Sequence, residues 1–565
     1  MDQNNNQNQI HDENTPAAGG QALGFDTSRQ AGDSSNNEIP SPSTGPFSAV
    51  GVVGETGTFN PIYSDTAAAV PSSPTAKDQD QQKNVEVPPI TSPSSSPFVV
   101  SQASSGQNVS PSLGNDLKSD SLTSVPVSPK PTRKFPIRLF LILILVVGLI
   151  VGLVFAYGKF LGKKTVETKT LTWWNLWEDE SIVKPLIAEY ESKNPNVKIN
   201  YIKQSPQDYR ERLSSVLAKG EGPDIFVFHN TWVPLFVREL DAMPASFSSA
   251  ADIAQNYYYV VSADLSSQGR ILGIPLGYDA LTLFINEDLF KEAGLNPPET
   301  WVDLRNDAKI LTKTENGKII QAGVALGRTE NVDHWQEILA LMMIQNGVNF
   351  TNPDISLVEN SLMFYTIFSK TDRVWDETLP SSTEAFASGK LAMYFGPSWR
   401  AFNIKDANPN LNFRTIPIPQ VPKENPDDPD ISYATYWAQG VWSKGKNKDL
   451  AWDFLKFLSS KDSLEKLFKQ ASLQRGFGQA YPRSDMANLI LDHPILGSIV
   501  KLAPNAKSWY LASRTFDGPT GINSQLSKYF EDAVNAINNQ EDPENTSDTL
   551  AQGIKQVLTQ YGLSK

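Results

Sequence analysis

The sequence predicts an α/β protein of two lobes, carried behind an unstructured tail and one apolar helix. Three observations lead there. All twelve tryptophans lie at or after Trp173, an uncharged apolar run occupies Leu139 to Gly158, and beyond it strand-like and helix-like segments alternate. At about 100–200 residues per domain, 565 residues leave room for more than one compact unit.

The first element is the tail. Residues 1–134 are rich in Ser, Pro, Asn, Gln, Gly and Thr, as in Asn4-Asn5-Asn6-Gln7 and Thr91-Ser92-Pro93-Ser94-Ser95-Ser96-Pro97. Such a composition buries too little apolar surface to offset the entropy of ordering the backbone, so this tail is expected to be disordered. A short docking motif such as Pro126-Val127-Ser128-Pro129 is the functional alternative to a plain solvated tail.

The second element is the apolar run. About 20 apolar residues at 1.5 Å rise span a ~30 Å hydrocarbon layer, so residues 135–160 are expected to form a transmembrane helix. A cleaved signal peptide has a shorter apolar core close to the N-terminus, and this run starts after more than 130 residues. Positive charge does not decide its orientation. Lys130, Arg133, Lys134 and Arg138 precede it, and Lys159, Lys163, Lys164 and Lys169 follow.

The third element, residues 165–565, reads as folded. Val197, Ile199 and Tyr201 alternate with polar residues like a half-buried strand, and Asp224-Ile225-Phe226-Val227-Phe228 reads as a buried one. Ile182, Leu186, Ile187 and Tyr190 make a helical stripe ending before Asn194-Pro195. Thr300-Trp301-Val302-Asp303 fits a capping box opening a helix through Ile310-Leu311, and Trp452, Leu455, Phe457 and Leu458 load another helix. Alternation of strand and helix predicts largely parallel sheets. About 400 residues exceed one core, hence two lobes.

Composition excludes several functions. A net charge of −13 disfavours nucleic-acid binding, which calls for a basic stripe. No cysteine is present, which removes disulfides, thiolate nucleophiles, Cys-rich zinc sites and a lipid anchor on cysteine. Four histidines are few for a His-rich metal site, and no metal or cofactor is expected. There is no Gly-x-Ser-x-Gly elbow, no His-Glu-x-x-His helix and no phosphate loop; Gly389-Lys390 is followed by Leu391. Glu178-Asp179-Glu180 reads as dipole-favoured charge on a solvated helix start. Asp427, Asp428 and Asp430 lack the spacing of a calcium loop. A glycosidase needs two facing carboxylates, and Asp279 has no convincing second member.

What remains is aromatic side chains beside polar ones at strand ends, where ligands of open α/β sheets collect. Trp173, Trp174 and Trp177 are interleaved with Asn175 and Glu178; His229, Asn230 and Trp232 follow the buried strand; Tyr278 and Asp279 follow Ile274-Pro275. A sugar suits this set, because its C–H faces pack on rings while its hydroxyls take carboxylates, amides and guanidinium groups.

Five segments in order give a resemblance. Gly222-Pro223-Asp224-Ile225, Gly273-Ile274-Pro275 and Asn286-Glu287-Asp288-Leu289-Phe290-Lys291-Glu292-Ala293-Gly294-Leu295 are followed by Phe386-Ala387-Ser388-Gly389-Lys390-Leu391-Ala392-Met393-Tyr394-Phe395-Gly396-Pro397-Ser398-Trp399 and by Ala451-Trp452-Asp453-Phe454-Leu455-Lys456-Phe457-Leu458. The domain resembles the extracellular solute-binding proteins, family 1, of carbohydrate ABC transporters, over nearly all of 168–565. The resemblance implies a periplasmic-binding-protein-like type II fold of two Rossmann-like lobes with a hinge, lobe 1 from about 168–278 and 438–488 and lobe 2 from about 284–430 and 489–565. It implies capture of a mono- or oligosaccharide by lobe closure, with no enzymatic step, and delivery to ABC permease subunits. Asp279 matches a cleft carboxylate and Trp399 a stacking tryptophan. Asn230 stands near a family carboxylate, with His229 beside it. Trp335 and Trp437 are further choices for the second lobe and the crossing region. The expected ligand set is therefore Trp174, Asn175, Glu178, His229, Asn230, Trp232, Asp279, Trp335, Trp399 and Trp437. Capture of solute puts the domain outside the cell membrane and the tail in the cytoplasm, the chain being held by its own single-pass helix. The alternatives are another solute on the same fold, a polyamine or an anion, or a module for sensing or adhesion.

Overall fold

The computed structural model describes residues 136–160, 167–423 and 425–564. The expected tail, residues 1–134, lies outside the described residues. Helix α1 (Ile137–Phe160) carries a 19-residue stretch, Ile137–Phe155, of mean hydropathy 3.1 with none of it buried. By length and composition it suffices to cross a membrane.

The globular body opens with β1 (Lys169–Asn175), α2 (Glu180–Lys193), β2 (Val197–Lys203), α3 (Tyr209–Lys219) and β3 (Ile225–His229), joined later by β4 (Ile274–Pro275). β2 is an edge strand that alternates between covered and exposed positions, whereas β3 is buried at every residue. Asp179 caps α2 by accepting from the Ser181 N–H at 3.0 Å, and Ile182, Val183, Leu186 and Tyr190 face the sheet. The second half is β5 (Leu281–Asn286), α4 (Trp301–Leu311), β6 (Lys313–Glu315), β7 (Lys318–Val324), α5 (Trp335–Gln345), β8 (Leu391–Pro397) and β9 (Phe413–Ile416). At the start of α4 the capping box is complete: Asp303 N–H donates to Thr300 Oγ1 at 3.1 Å, and Thr300 N–H donates back to Asp303 Oδ2 at 3.1 Å. The chain then returns as β10 (Trp437–Val441) and continues through α6 (Lys461–Arg475) to α7 (Ile522–Asn538).

The first sheet runs β2-β1-β3-β10-β4 and the second β9-β5-β8-β7-β6. Both are mixed, which corrects the expectation of largely parallel sheets. β1 is parallel to β2 and β3, and β8 to β7, but β10 is antiparallel to both neighbours, as β5 is to β8 and β9. Alternation predicts parallel strands only while the chain stays in one sheet. β10 enters the first sheet from the second, so no crossover helix sets its direction.

Two large apolar cores result. Trp173, Phe226, Phe228, Trp232 and Phe454 belong to the first; Phe284, Trp301, Trp375, Tyr394 and Phe530 to the second. Residues 495–506 serve both, since Ile499, Ala503 and Ala506 pack into the first core and Ile495 and Leu502 into the second.

Three strands of chain cross between the halves side by side. Leu281 N–H donates to Tyr433 O (2.8 Å), Thr435 N–H to Asp279 O (3.0 Å), Ala434 N–H to Lys507 O (2.8 Å) and Lys507 N–H to Ser432 O (2.9 Å). Asp264 ties the second and third crossings together, accepting from Tyr436 Oη (2.9 Å) and Ser508 Oγ (2.5 Å). Burial pushes its carboxyl up to about 6, although these donors pull the other way.

Candidate functional site

The crossings floor a cleft of about 350 Å³ between the two sheets, in the size range of small-molecule sites. Its lining converges from segments far apart in sequence. Trp177 lies two residues past β1, His229 ends β3, Thr435 to Trp437 run from the second crossing into β10, and Asp279 sits on the first crossing. From the second half come Ser398 and Trp399 after β8, His334 and Glu337 at the start of α5, and Ser513, Arg514 and Phe516 from the loop before α7.

On the first-sheet side the rings brace one another. Trp437 meets Trp177, Trp232 and His229 edge-on, with centroids 5.3, 5.3 and 5.1 Å apart. His229 Nδ1 lies 2.8 Å from Thr231 Oγ1 and 3.4 Å from the Thr231 N–H, and Nε2 lies 3.1 Å from Thr435 Oγ1. A ring nitrogen accepting from a backbone N–H is unprotonated, so the network assigns the proton to Nε2. Burial pushes the pKa of His229 down to about 3, which keeps the imidazole neutral.

The second-sheet side is a charged network. Arg400 Nε donates to His334 Nε2 (2.8 Å), leaving His334 Nδ1–H for Ser513 Oγ (2.9 Å), which in turn donates to Glu337 Oε1 (2.8 Å). Ser513 N–H adds a second bond to Glu337 Oε1 at 2.7 Å. Glu337 is 1% exposed, yet its Oε2 has no hydrogen-bond partner and lies 3.7 Å from His334 Nδ1. Trp399 stands over this network, with the Arg400 guanidinium 4.5 Å from its ring centre and His334 edge-on at 5.7 Å.

Of the ten residues singled out from sequence, His229, Asp279, Trp399 and Trp437 line the cleft. Asn175 and Glu178 line a smaller adjoining cavity of about 50 Å³. There Glu178 Oε1 accepts from Arg475 (2.9 Å) and Gln479 (3.0 Å), and Asn175 Oδ1 caps the Leu176 N–H at 2.7 Å. The other four are not brought into either cavity. Trp174 packs partly buried against the first core, and Trp335 is buried in the second. Trp232 is buried under Tyr209 and reaches the cleft only through Trp437. Asn230 is buried and donates to Asp264 Oδ2 at 2.9 Å. Asp279 is itself largely engaged: Ser398 N–H (3.0 Å), Ser398 Oγ (2.8 Å) and Ala280 N–H (2.8 Å) all donate to its carboxylate, which burial pushes up to about 6.

Sequence reasoning passed over His334, Glu337, Arg475, Ser513 and Arg514, which meet only through the fold. The one local signal was Asp333-His334-Trp335-Gln336-Glu337, where four polar side chains crowd a helix start around a tryptophan.

Two mixed α/β halves joined by three crossings over a polar-aromatic cleft define a two-lobed binding protein of the periplasmic-binding-protein type. The model of the bacterial extracellular solute-binding protein family matches residues 174–465, and the chain belongs to that family. Its members bind solutes and are not enzymes. The maltotriose-binding protein of Pyrococcus abyssi is 22% identical over 323 residues, 55% of this chain and 66% of that protein, so the chain spans just under two thirds of that relative's length. The sn-glycerol-3-phosphate-binding periplasmic protein of Shigella dysenteriae is 26% identical over 325 residues, 54% of this chain and 72% of that protein. Among solved structures, the sugar-binding protein MalE of Xanthomonas citri aligns with a TM-score of 0.57 at 18% identity, covering 69% of this chain and 98% of that one. At that identity the likeness speaks for the fold.

Proposed function

We propose that the protein captures a neutral carbohydrate in this cleft and hands it to an ABC importer, while α1 tethers it to the membrane. The observation that carries the reading is the pairing of unlike walls: the rings of Trp177, Trp437 and Trp399 stand beside a buried hydrogen-bond network in which one oxygen, Glu337 Oε2, has no partner. Rings take the C–H faces of a pyranose, and His229, Gln479 and Glu337 supply directional partners for its hydroxyls. A phosphate ester or other anion is the poorer fit. Arg475 is already bonded to Glu178 at 2.9 Å, and the half-exposed Arg514 stands 3.7 Å from the Asp333 carboxylate, so each guanidinium already has an acidic neighbour. A polyamine fares no better, because the Asp279 carboxylate is occupied by Ser398, and the one unpartnered oxygen of Glu337 is a single buried acceptor beside His334 at 3.7 Å.

In this reading Trp437, Trp177 and Trp399 stack on the solute, His229 hydrogen-bonds it, and Asp279 holds the Ser398-Trp399 turn in place. Asn175 and Glu178 extend the site into the adjoining cavity. The solute-binding domain stands outside the membrane, the tail inside, and the closed lobes meet a permease pair. The test is a thermal-shift screen of the full chain in detergent against neutral mono- and oligosaccharides, sn-glycerol 3-phosphate and polyamines. A ligand at 100 times its dissociation constant stabilises the fold by about 2.7 kcal/mol. A shift with neutral sugars alone supports the reading, and a shift with the phosphate ester alone replaces it.

A further inference from the structure

The loop between the third crossing and α7 is built unlike any other wall of the cleft. Ser513 anchors one end on the buried Glu337. At the other end Asp517, fully buried, takes over the capping of α7, which Gly521, in the cap position before the helix, cannot do because it has no side chain. Asp517 Oδ2 accepts the Asn523 N–H at 2.8 Å and Oδ1 accepts Ser524 Oγ at 2.7 Å. A Cβ at Gly521 would lie 2.0 Å from the Asp517 carboxyl carbon, so glycine is required there.

Along this loop the backbone is held in an unfavourable form. Arg514 (φ 52°), Phe516 (φ 54°) and Gly518 (φ 70°) are all left-handed, and two of the three carry side chains. Such a conformation persists only where surrounding contacts over-determine it. Its own lobe supplies some of these contacts, from Asp333 to Arg514 and from Gln525 and Tyr561 to Thr520 O, and the opposite lobe supplies the rest. Arg210, at the start of α3, donates from Nε to Asp517 O (2.7 Å) and from Nη2 to Thr520 Oγ1 (2.8 Å). Asn523 Nδ2 donates to Thr231 Oγ1 at 2.8 Å, and Thr231 is one of the two threonines that hold the His229 ring in the cleft. Gly518 lies so close to α3 that a Cβ would come within 1.9 Å of Glu211 Oε1. On the inner side Phe516 packs 6.5 Å from Trp177.

We infer that residues 513–521 form a strap, fixed to the second lobe at both ends and latched to the first by Arg210 and Thr231. The latch sets the balance between open and closed lobes before any solute arrives. The loop's left-handed residues hold it in one particular form, and the Arg210 fork ties that form to the first lobe. A solute that touches His229 also stiffens Thr231 and, through it, the Asn523 end of the strap. Because the latch does not itself touch solute, weakening it lowers the closed population and scales every affinity by one factor, whatever the ligand. The inference rests on the reading of the cleft as a solute site for its purpose, though not for its geometry.

The absence of cysteine makes the test direct. Spin labels are placed on the full chain in detergent at Lys219→Cys on α3 and Lys528→Cys on α7, both exposed positions, and distances are read by pulsed electron paramagnetic resonance without ligand. Arg210→Met and Thr520→Ala, each introduced separately, are both expected to move population to longer distances. Maltotriose, used as the probe, is expected to bind each variant about fivefold more weakly. Ligand-free distributions that coincide with the parent in both variants overturn the strap. If the distributions shift and maltotriose binds neither parent nor variants, the strap stands and the choice of solute falls.

Discussion

The wall of the cleft on the first sheet is aromatic and neutral, whereas the wall on the second is charged and closed upon itself. Trp437, Trp177 and His229 touch mainly by ring edges, and His229 is uncharged. Arg400, His334, Ser513 and Glu337 are linked bond by bond, and all but the part-buried Ser513 are shut off from solvent, Glu337 being 1% exposed. Ring contacts tolerate a shift of the partner; a hydrogen-bonded chain of buried groups does not. The first wall therefore suits adaptable stacking, and the second fixes orientation. Loss of a single member should accordingly harm the second wall through stability and the first through affinity.

The largest effect is expected from Glu337→Ala. It strands Ser513 and His334 beside the Arg400 guanidinium and removes the anchor of the strap, at a cost of about 3 kcal/mol in urea unfolding. A loss below about 1 kcal/mol would mean that the network is not load-coupled and would erase the contrast between the walls. Next comes Trp437→Ala, which takes away the ring that braces Trp177 and His229. Sugar affinity by calorimetry should fall about tenfold, equivalent to ~1.4 kcal/mol. Unchanged affinity would move stacking to Trp399 alone.

Acid separates the first wall from the crossings, because their buried groups titrate in opposite senses. His229 has a folded pKa near 3 against 6.5 free, so the unfolded chain binds the extra proton and stability is lost as pH falls below 6.5. Asp264 and Asp279 have folded values near 6 against 3.8 free. Their contribution is present below about 3.8 and is lost as pH rises through 6. His229→Gln should thus remove a fall of about 1 kcal/mol between pH 6.5 and 5.5 and expose the carboxylates' opposite slope. Asp279→Asn should flatten the opposing slope between pH 4 and 6. Denaturant midpoints across pH 4 to 7 read both, and parallel curves for His229→Gln and the parent would show that His229 is not held neutral by burial.

Local pattern was enough for the elements but not for their convergence. The capping box at Thr300, the half-buried β2 and the wholly buried β3 follow from neighbouring residues, and the structure has all three. The direction of β10 did not follow, since it depends on a return from the other half of the molecule. The site divides in the same way. His229, Asp279 and Trp437 stand at or next to strand ends and crossings, where open α/β sheets gather ligands. His334, Glu337, Ser513 and Arg514 share a wall only because the third crossing brings residues 513–516 against the start of α5, and no spacing in the sequence records that. Trp232 and Trp335 show the converse, as each sits beside polar residues in sequence while its ring turns into a core.

Trp174 gives the smallest effect and the sharpest test of the first wall. It neighbours Trp173 in β1, where successive side chains point to opposite faces of the sheet. Trp173 fills the first core and donates its Nε1–H to Gln439 at 2.8 Å, so Trp174 must face the other way, where it packs partly buried. The cleft, however, lies off the end of β1 rather than over either face, which is why Trp177, two residues beyond the strand, lines it and Trp174 does not. Trp174→Phe keeps an aromatic ring on that face and should leave sugar affinity unchanged, within about 0.5 kcal/mol by calorimetry. Trp177→Phe should weaken binding, because the larger ring both braces Trp437 and meets Phe516 of the strap. If Trp174→Phe proved the more damaging of the two, the solute would lie over the sheet face instead of beyond the strand ends, and the aromatic wall would have to be redrawn around β1.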